Sequence, residues 1–436
     1  MKILCIIPPY IPSYFNAGHH LPVFQVGAYL RKQLVDSEIV CMDCAALNMT
    51  WKEVCDTLIK GFDFIAILND FDAIDTFQRF QYYKSMLCPE AKTITFGRLS
   101  KQVPRFFFQF GIDAVHCNGD YESGVLSYIK FVVDNNTDKA PGVLLSSRDL
   151  NTTGIYLEPE EWVMPDVNEI PYNAYSFMYK NDLNKFCGIP DRQELVVPIA
   201  RGCPVGCAYC DVPSMQGKVE RRMSVDNVIS YIQESFEKQP FEYVSFYAPT
   251  FTLNKNWVKD LCHSLISFEK KYPWKCVTVL KTLDEELIKL MSQSGCIRIS
   301  LGIESFTNTA AIGLPKVKQD TLDSFKQISS ICFKYGIELN CFIILGLPGD
   351  SPHDAQNTID TCLEHNVRVR PTIYTPYMNM HEEMSVFEAS QYSRQLFAPG
   401  VLPDEVADEY YSIFYKNKKD KPTAVMNNIA KLRLVN

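Results

Sequence analysis

The chain has 436 residues, 47% of them hydrophobic and 22% charged, with a formal net charge of −8. That length predicts two or three domains, and the composition is that of an ordinary soluble globular protein. The acidic balance disfavours a partner bound through nucleic-acid phosphates, and no apolar run reaches the roughly 18 residues that a membrane span needs.

The opening run, MKILCIIPP, is too short for a signal-peptide core and reads as a strand. From there to residue 134, short apolar runs alternate with helical patterns. Strands are expected at 2–8, 38–43, 62–68, 92–96 and 114–117, and helices at 21–33, 51–60, 73–83, 101–110 and 121–132. Repeated β-α units of this length predict a doubly wound, Rossmann-like parallel sheet, which binds ligands at the carboxyl ends of its strands. Those ends are Pro8-Pro9-Tyr10 with the loop to Gly18-His19-His20, Asn69-Asp70, Gly97-Arg98 and Asn118-Gly119-Asp120. Residues 135–192 read as a linker or strap. It opens on the polar Asn135-Asn136-Thr137-Asp138 and is broken by Pro159, Pro165 and Pro171.

At 193 the alternation resumes. Strands are expected at 194–200, 243–248, 275–280, 297–303, 338–345 and 367–374, and helices at 225–238, 256–268, 284–294, 321–335 and 354–365, with Ser224 as an N-cap. This predicts a partial (β/α)6 barrel of the TIM type over 193–380, and a short helical extension over 381–436. The sixteen cysteines are scattered. Cys5, Cys276, Cys332 and Cys341 sit in apolar runs, where a reduced thiol behaves as a small hydrophobe. Cys41-x2-Cys44 fits a metal or redox motif but follows a strand pattern and reads first as core. Together these features suggest a cytosolic, reduced, oxygen-sensitive protein.

After the first barrel strand stands Arg201-Gly202-Cys203-Pro204-Val205-Gly206-Cys207-Ala208-Tyr209-Cys210-Asp211. Spacing of i, i+4 and i+7 also suits one face of a helix, but Pro204 and Gly206 favour a loop. Structural zinc takes four protein ligands, and His19 and His20 lie far off in sequence. An iron–sulfur cube takes one thiolate per iron, so three thiols leave one iron open. Cys-x3-Cys-x2-Cys with Tyr209 before the last Cys resembles the radical S-adenosylmethionine (SAM) superfamily. The resemblance implies a 4Fe–4S cluster on Cys203, Cys207 and Cys210. Its open iron would chelate SAM, and SAM would be cleaved to a 5′-deoxyadenosyl radical that abstracts hydrogen.

Other strand ends match the same family. Gly302-Ile303-Glu304-Ser305 would lie beside SAM, and Ile344 and the Gly346-Leu347-Pro348-Gly349 turn would shape the adenine pocket. After the second strand, Phe251-Thr252 matches, but Ala248 and Pro249 replace the usual acids, leaving Thr250, Thr252 and backbone carbonyls to hold SAM. Tyr374, Tyr377 and His381 after the sixth strand, and Lys281 after the third, are candidates to face substrate. The first half resembles the cobalamin-binding domain that precedes many such barrels. Pro9, Tyr10, Asn118 and Gly119 are the residues that would contact cobalamin. Phe96-Gly97-Arg98 departs from the usual Gly-Gly, and the cobalt-ligating Asp-x-His-x-x-Gly motif is absent.

The leading expectation is a cytoplasmic, cobalamin-dependent methyltransferase acting at carbon on a small metabolite or natural product. An external donor such as flavodoxin or ferredoxin would supply the electron. A second reading keeps the radical chemistry without cobalamin: deoxygenation, dehydration, epimerisation or decarboxylation of a sugar or nucleoside. A third is an RNA methylthiotransferase, with Cys5, Cys41, Cys44, Cys55, Cys88 and Cys117 as the pool for a second cluster; the acidic charge argues against it. A fourth, a non-catalytic iron–sulfur or zinc module, would make the Gly302–Ser305 and Gly346–Gly349 matches coincidences.

Overall fold

The structure, a computed structural model, describes residues 1–10, 20–69, 74–135, 140–150, 152–180, 189, 193–307, 313–319, 321–392, 396–398 and 400–418. The chain divides into two compact units. The first comprises Met1–Met178, Ser214–Gly217 and Pro376–Ser393; the second comprises Tyr179–Pro213, Lys218–Thr375 and Arg394–Asn436. Among the described residues, no helix is long and apolar enough to cross a membrane.

In the first unit the elements run β1 (Lys2–Ile7), α1 (Leu21–Gln33), β2 (Glu38–Asp43), α2 (Trp51–Leu58), β3 (Phe64–Asn69), α3 (Ile74–Leu87), β4 (Lys92–Gly97), α4 (Arg98–Gln102), β5 (Ala114–His116), α5 (Tyr121–Val133), β6 (Val143–Leu144) and α6 (Tyr172–Lys180). The sheet order is β2-β1-β3-β4-β5-β6. Every pairing is parallel except β5 with β6. Strand order reverses between β1 and β3, which opens a crevice at their carboxyl ends, where doubly wound sheets bind ligands. The expected helix over 101–110 is broken. Val103 precedes Pro104, whose ring excludes the α region for the residue before it. Val103 accordingly sits at φ −135°, ψ 68°, and residues Pro104–Phe110 wind as a 3-10 turn. The short antiparallel β6 and helix α6 fall in the stretch read from sequence as a linker. The polar boundary at 136–138 and the loop residues Gly18, His19 and Asp70 lie outside the described residues.

In the second unit the elements are β7 (Glu194–Pro198), β8 (Ala200–Arg201), α7 (Val212–Gln216), β9 (Arg221–Arg222), α8 (Val225–Lys238), β10 (Tyr243–Tyr247), α9 (Lys255–Ser267), β11 (Trp274–Thr278), α10 (Glu285–Gln293), β12 (Cys296–Gly302), α11 (Leu322–Lys334), β13 (Glu338–Leu345), α12 (Pro352–Glu364), β14 (Arg368–Ile373), α13 (Val386–Ser390) and α14 (Asp404–Lys418). The last residues of α7 and all of α13 count with the first unit. The sheet runs β14-β13-β12-β11-β10-β7, all parallel. Each crossover helix begins at a polar cap whose side chain accepts a first-turn N–H: Ser224, Asn254, Asp284, Thr321 and Ser351. Such caps contribute about 1 kcal/mol each. They also fix where each strand-end loop stops, and therefore how long it is.

The first unit's core gathers Leu4, Ile6, Ile65, Ile67, Phe77, Phe80, Phe106 and Phe107, and it also takes in Tyr377, Met380, Met384 and Ala389 from far along the chain.

Candidate active site

β7 delivers the cysteine loop to the carboxyl end of the second sheet, where β/α barrels keep their chemistry. Gly202 and Gly206 take φ of +83° and +72°, open to glycine at little cost, and let the loop curl. The Cys210 N–H bonds to the Cys207 carbonyl at 3.1 Å. Cys203 is buried, Cys207 and Cys210 are half-buried, and all three are free thiols. Burial pushes the Cys207 thiol up, against Lys318 and a hydrogen bond with Tyr209 that favour the thiolate. Burial likewise lifts Cys210 to about 11, opposed by the Val212 N–H. Bound metal removes such protons, so ligation and deprotonation come together. Among the described residues, no three His, Cys, Asp or Glu side chains are grouped so as to hold one ion. A 4Fe–4S cluster takes its thiolates on separate irons.

Beside this loop three segments converge. Lys318 Nζ donates to Glu304 Oε1 at 2.5 Å and to the Tyr209 hydroxyl at 2.7 Å, and the Tyr209 hydroxyl donates to the same carboxylate oxygen at 3.0 Å. Lys318 also lies over the Tyr209 ring. The ion pair is almost dry, with side chains 8% and 5% exposed. Burial alone would lower the ammonium pKa, but the charge of Glu304, and after it that of Cys207, outweighs burial and raises it. Glu304 has φ +63°, unusual for a residue with a Cβ, and its Oε2 is buried with no hydrogen-bond partner. A Cβ on Gly302 would stand 2.8 Å from Lys318 Nζ and 2.9 Å from Glu304 Oε1, so the ion pair lies close against this stretch of backbone. Tyr209, Ile344 and Tyr374 pack around Leu314 and Leu347 on the same side. The site therefore offers three thiols, a buried cation and one unsatisfied carboxylate oxygen that calls for a donor.

The remaining residues singled out from sequence are placed as follows. Thr250 is buried, and its carbonyl accepts from Arg222 at 3.1 Å. The Thr252 hydroxyl is engaged by Thr278 and Thr282. Ser305 bonds the Thr307 carbonyl at 3.0 Å. Gly346 has φ +78° and abuts Phe397. Lys281 is exposed and donates to the Lys316 carbonyl. Tyr377 packs in the first unit's core with Arg98 over its ring, because Pro376 ends the strand path and Met380, Met384 and Ala389 follow it into that core. His381 is exposed in the same segment. Lys318 was missed: one lysine in Leu314-Pro315-Lys316-Val317-Lys318 carries no spacing signal, and most lysines are solvated. Arg222, which clamps the Thr250 and Phe251 carbonyls and stacks on Trp257, was missed for the same reason.

In the first unit, Tyr10 and Asn69 flank the crevice between β1 and β3. The Tyr10 hydroxyl bonds His20 Nε2 at 2.5 Å, and His20 Nδ1 bonds Asp43 Oδ2 at 2.7 Å. Asp43 also accepts from the Tyr175 hydroxyl at 2.5 Å and the Ala46 N–H at 2.9 Å. Burial would raise the Asp43 pKa, but the opposing charge of His20 and these donors hold it below the usual carboxylate range. The ionised Asp43 accepts from the His20 Nδ1–H. Asn69 Oδ1 is buried without a partner at the end of β3. A polar ligand with N–H or O–H groups suits this crevice. Asn118 turns its Oδ1 to the Gly119 N–H and the Tyr156 hydroxyl, and Gly119 has φ +85° with Ile155 against it.

Residues 197–362 match the radical SAM superfamily. An uncharacterised methyltransferase of Pyrococcus horikoshii is 28% identical over 223 residues, covering 50% of this chain and 47% of the relative. The bacteriochlorophyllide d C-12(1)-methyltransferase of Chlorobaculum tepidum is 24% identical over 249 residues, covering 54% of each. The chain thus spans about half the length of the curated relatives it matches. Among solved structures, the radical SAM methyltransferase TsrM of Kitasatospora setae, with cobalamin and a 4Fe–4S cluster bound, superposes with a TM-score of 0.66. It is 13% identical, with 86% of this chain and 77% of that one covered.

Proposed function

We propose, on the premise that residues 197–362 are a radical SAM domain, that this protein is a radical SAM enzyme that methylates a carbon atom of a small molecule. Cys203, Cys207 and Cys210 would hold a 4Fe–4S cluster, and the β1/β3 crevice of the first unit would hold cobalamin. When bound, the cluster supplies the electron that splits SAM to a carbon radical, and cobalamin supplies the methyl group. The chain's own residues do the positioning. Tyr209 and Lys318 fix the Glu304 carboxylate on one oxygen, leaving the other to accept from SAM's ammonium or ribose hydroxyls. Lys318 adds a fixed positive charge next to the cysteine loop, where SAM's carboxylate and the thiolates bring negative charge. Leu314, Leu347 and the Tyr374 ring present an apolar wall that keeps water from a reactive radical.

The observation that carries this reading is the unsatisfied Glu304 Oε2 beside the three thiols. Methyltransferase-named relatives and the TsrM likeness support the methylation and cobalamin parts. We further propose an external one-electron carrier as partner. The test is anaerobic purification, reconstitution with iron and sulfide, reduction with dithionite, and measurement of 5′-deoxyadenosine release from SAM and of bound cobalamin by visible spectrum and mass. Cluster, SAM cleavage and stoichiometric cobalamin support the reading. SAM cleavage without cobalamin binding overturns the methylation part, and an intact cluster that leaves SAM whole overturns the enzyme.

A further inference from the structure

Cys5 and Cys41 are register partners on the adjacent parallel strands β1 and β2. Neighbouring strands lie about 4.8 Å apart, inside the Cα span that a disulfide bridges. As register partners on adjacent parallel strands, the two thiols lie on the same face of the sheet. Cys5 is fully buried, whereas Cys41 is half-buried on the edge strand. Arg31 reaches down from α1, donating through Nη2 to the Ile39 carbonyl at 2.9 Å and to Cys41 Sγ at 3.7 Å, while its Nη1 is paired with Glu169 at 2.6 Å. The helix is cut away to make room for the sulfur: a Cβ on Gly27 would lie 2.1 Å from Cys41 Sγ. The neighbouring Cys5 lowers the Cys41 thiol pKa, burial opposes this, Arg31 lowers it further and the Glu169 carboxylate raises it, while Cys5 itself is raised.

Cys44, the other half of the Cys-x2-Cys spacing, is differently placed. It is buried among Leu4, Ile6 and Val54. Leu4 and Ile6 flank Cys5 in β1 and so face the opposite side of the sheet. Burial pushes the Cys44 thiol up. A bridge from Cys41 to Cys44 would have to pass through the sheet, whereas one from Cys41 to Cys5 runs along its surface.

We propose that Cys5 and Cys41 form a redox-active dithiol, in which a hydroperoxide oxidises Cys41 and Cys5 resolves it to a disulfide. The Cys41 thiolate attacks the distal peroxide oxygen; an S–O bond forms, the O–O bond breaks and the alcohol or water leaves with a proton. Cys5 sulfur then attacks Cys41 sulfur; the S–S bond forms, the S–O bond breaks and water leaves with the Cys5 proton. Two thiols and one hydroperoxide give one disulfide, one alcohol (or water) and one water, the thiols losing the two electrons that the peroxide gains. Arg31 stabilises the attacking thiolate. The site is independent of the radical SAM reading.

The test is to titrate the full chain, purified anaerobically, with hydrogen peroxide, block free thiols with N-ethylmaleimide, digest and weigh the peptides. Cys55, half-buried, is the internal control. The expected result is a linked pair of peptides carrying Cys5 and Cys41, two hydrogens lighter than their sum, appearing before Cys55 is oxidised. In Cys5→Ser, dimedone should trap a sulfenic acid on Cys41. Arg31→Gln should slow Cys41 oxidation roughly tenfold at neutral pH, as a unit rise in thiol pKa would, and Arg31→Lys should restore most of the rate. Failure of the linked pair to form while Cys55 oxidises would overturn the proposal, as would equal Cys41 rates in the wild type and in a folded Arg31→Gln protein.

Discussion

Lys318→Met is the most informative single change at the candidate site. The substitution keeps the length of the side chain and removes its charge. Glu304 then keeps only the Tyr209 hydroxyl on Oε1, with nothing on Oε2, in a pocket where its side chain is 5% exposed. Breaking a buried ion pair by removing one member costs about 3–5 kcal/mol, because the surviving charge stays dehydrated. Glu304→Gln should cost a similar amount by stranding the ammonium. The double variant removes both charges and should cost less than the sum of the singles by about 2–3 kcal/mol. Anaerobic urea titration, followed by the fluorescence of Trp257 and Trp274 in the same unit, measures all four corners of the cycle. Single losses below about 1 kcal/mol, or strict additivity, would refute the dry, coupled pair on which the site argument rests.

Other expectations are independent of that cycle. Tyr209→Phe should retain iron but lower stability by about 1–3 kcal/mol, since one hydroxyl joins both members of the pair; iron analysis and urea midpoints check it. Cys207→Ala should lose most of the reconstituted iron, and unchanged iron and sulfide would remove the cluster assignment. Asp43 has a depressed carboxyl in the fold, so its contribution is present above the unfolded value near pH 4 and lost as pH falls further. Asp43→Asn should therefore cost about 1.5–3 kcal/mol at pH 7 and much less at pH 3, read from denaturation at both pH values. Asp350 shows the opposite sign. Burial lifts its carboxyl to about 7, the Ser351 N–H opposes this, and Asp354 adds to it. Stability therefore falls as pH rises from the unfolded value near 4 to about 7 and is level above it, so Asp350→Asn should raise the melting temperature most at pH 8, less at pH 5 and little at pH 3.

The repeating parts of this fold were legible because each element announces its ends. Leu21–Gln33, Glu38–Asp43, Val225–Lys238 and Glu338–Leu345 match the reading from sequence, each having a plain apolar period and a polar or glycine boundary. The helix over 101–110 was misread because its apolar run, Phe106 to Phe110, outweighed Pro104. The two-residue strand β6 is too short for any period to show. In the site, the three cysteines and Glu304 could be read because their neighbours fix a motif. Lys318 and Arg222 could not, because what makes them important is burial, and a buried cation looks in sequence like a solvated one. Tyr377 was placed at a barrel mouth by its position after a strand; only three-dimensional packing shows Met380 and Met384 drawing it into another core.

That last feature bears on how the polypeptide is made. The first unit lacks part of its apolar interior until residues 377–389 are available, and every strand of the second sheet precedes them in the chain. A ribosome therefore completes β7 to β14 before the earlier unit can finish condensing. A nascent chain stalled near residue 180 would carry the first unit with part of its apolar interior still unfilled.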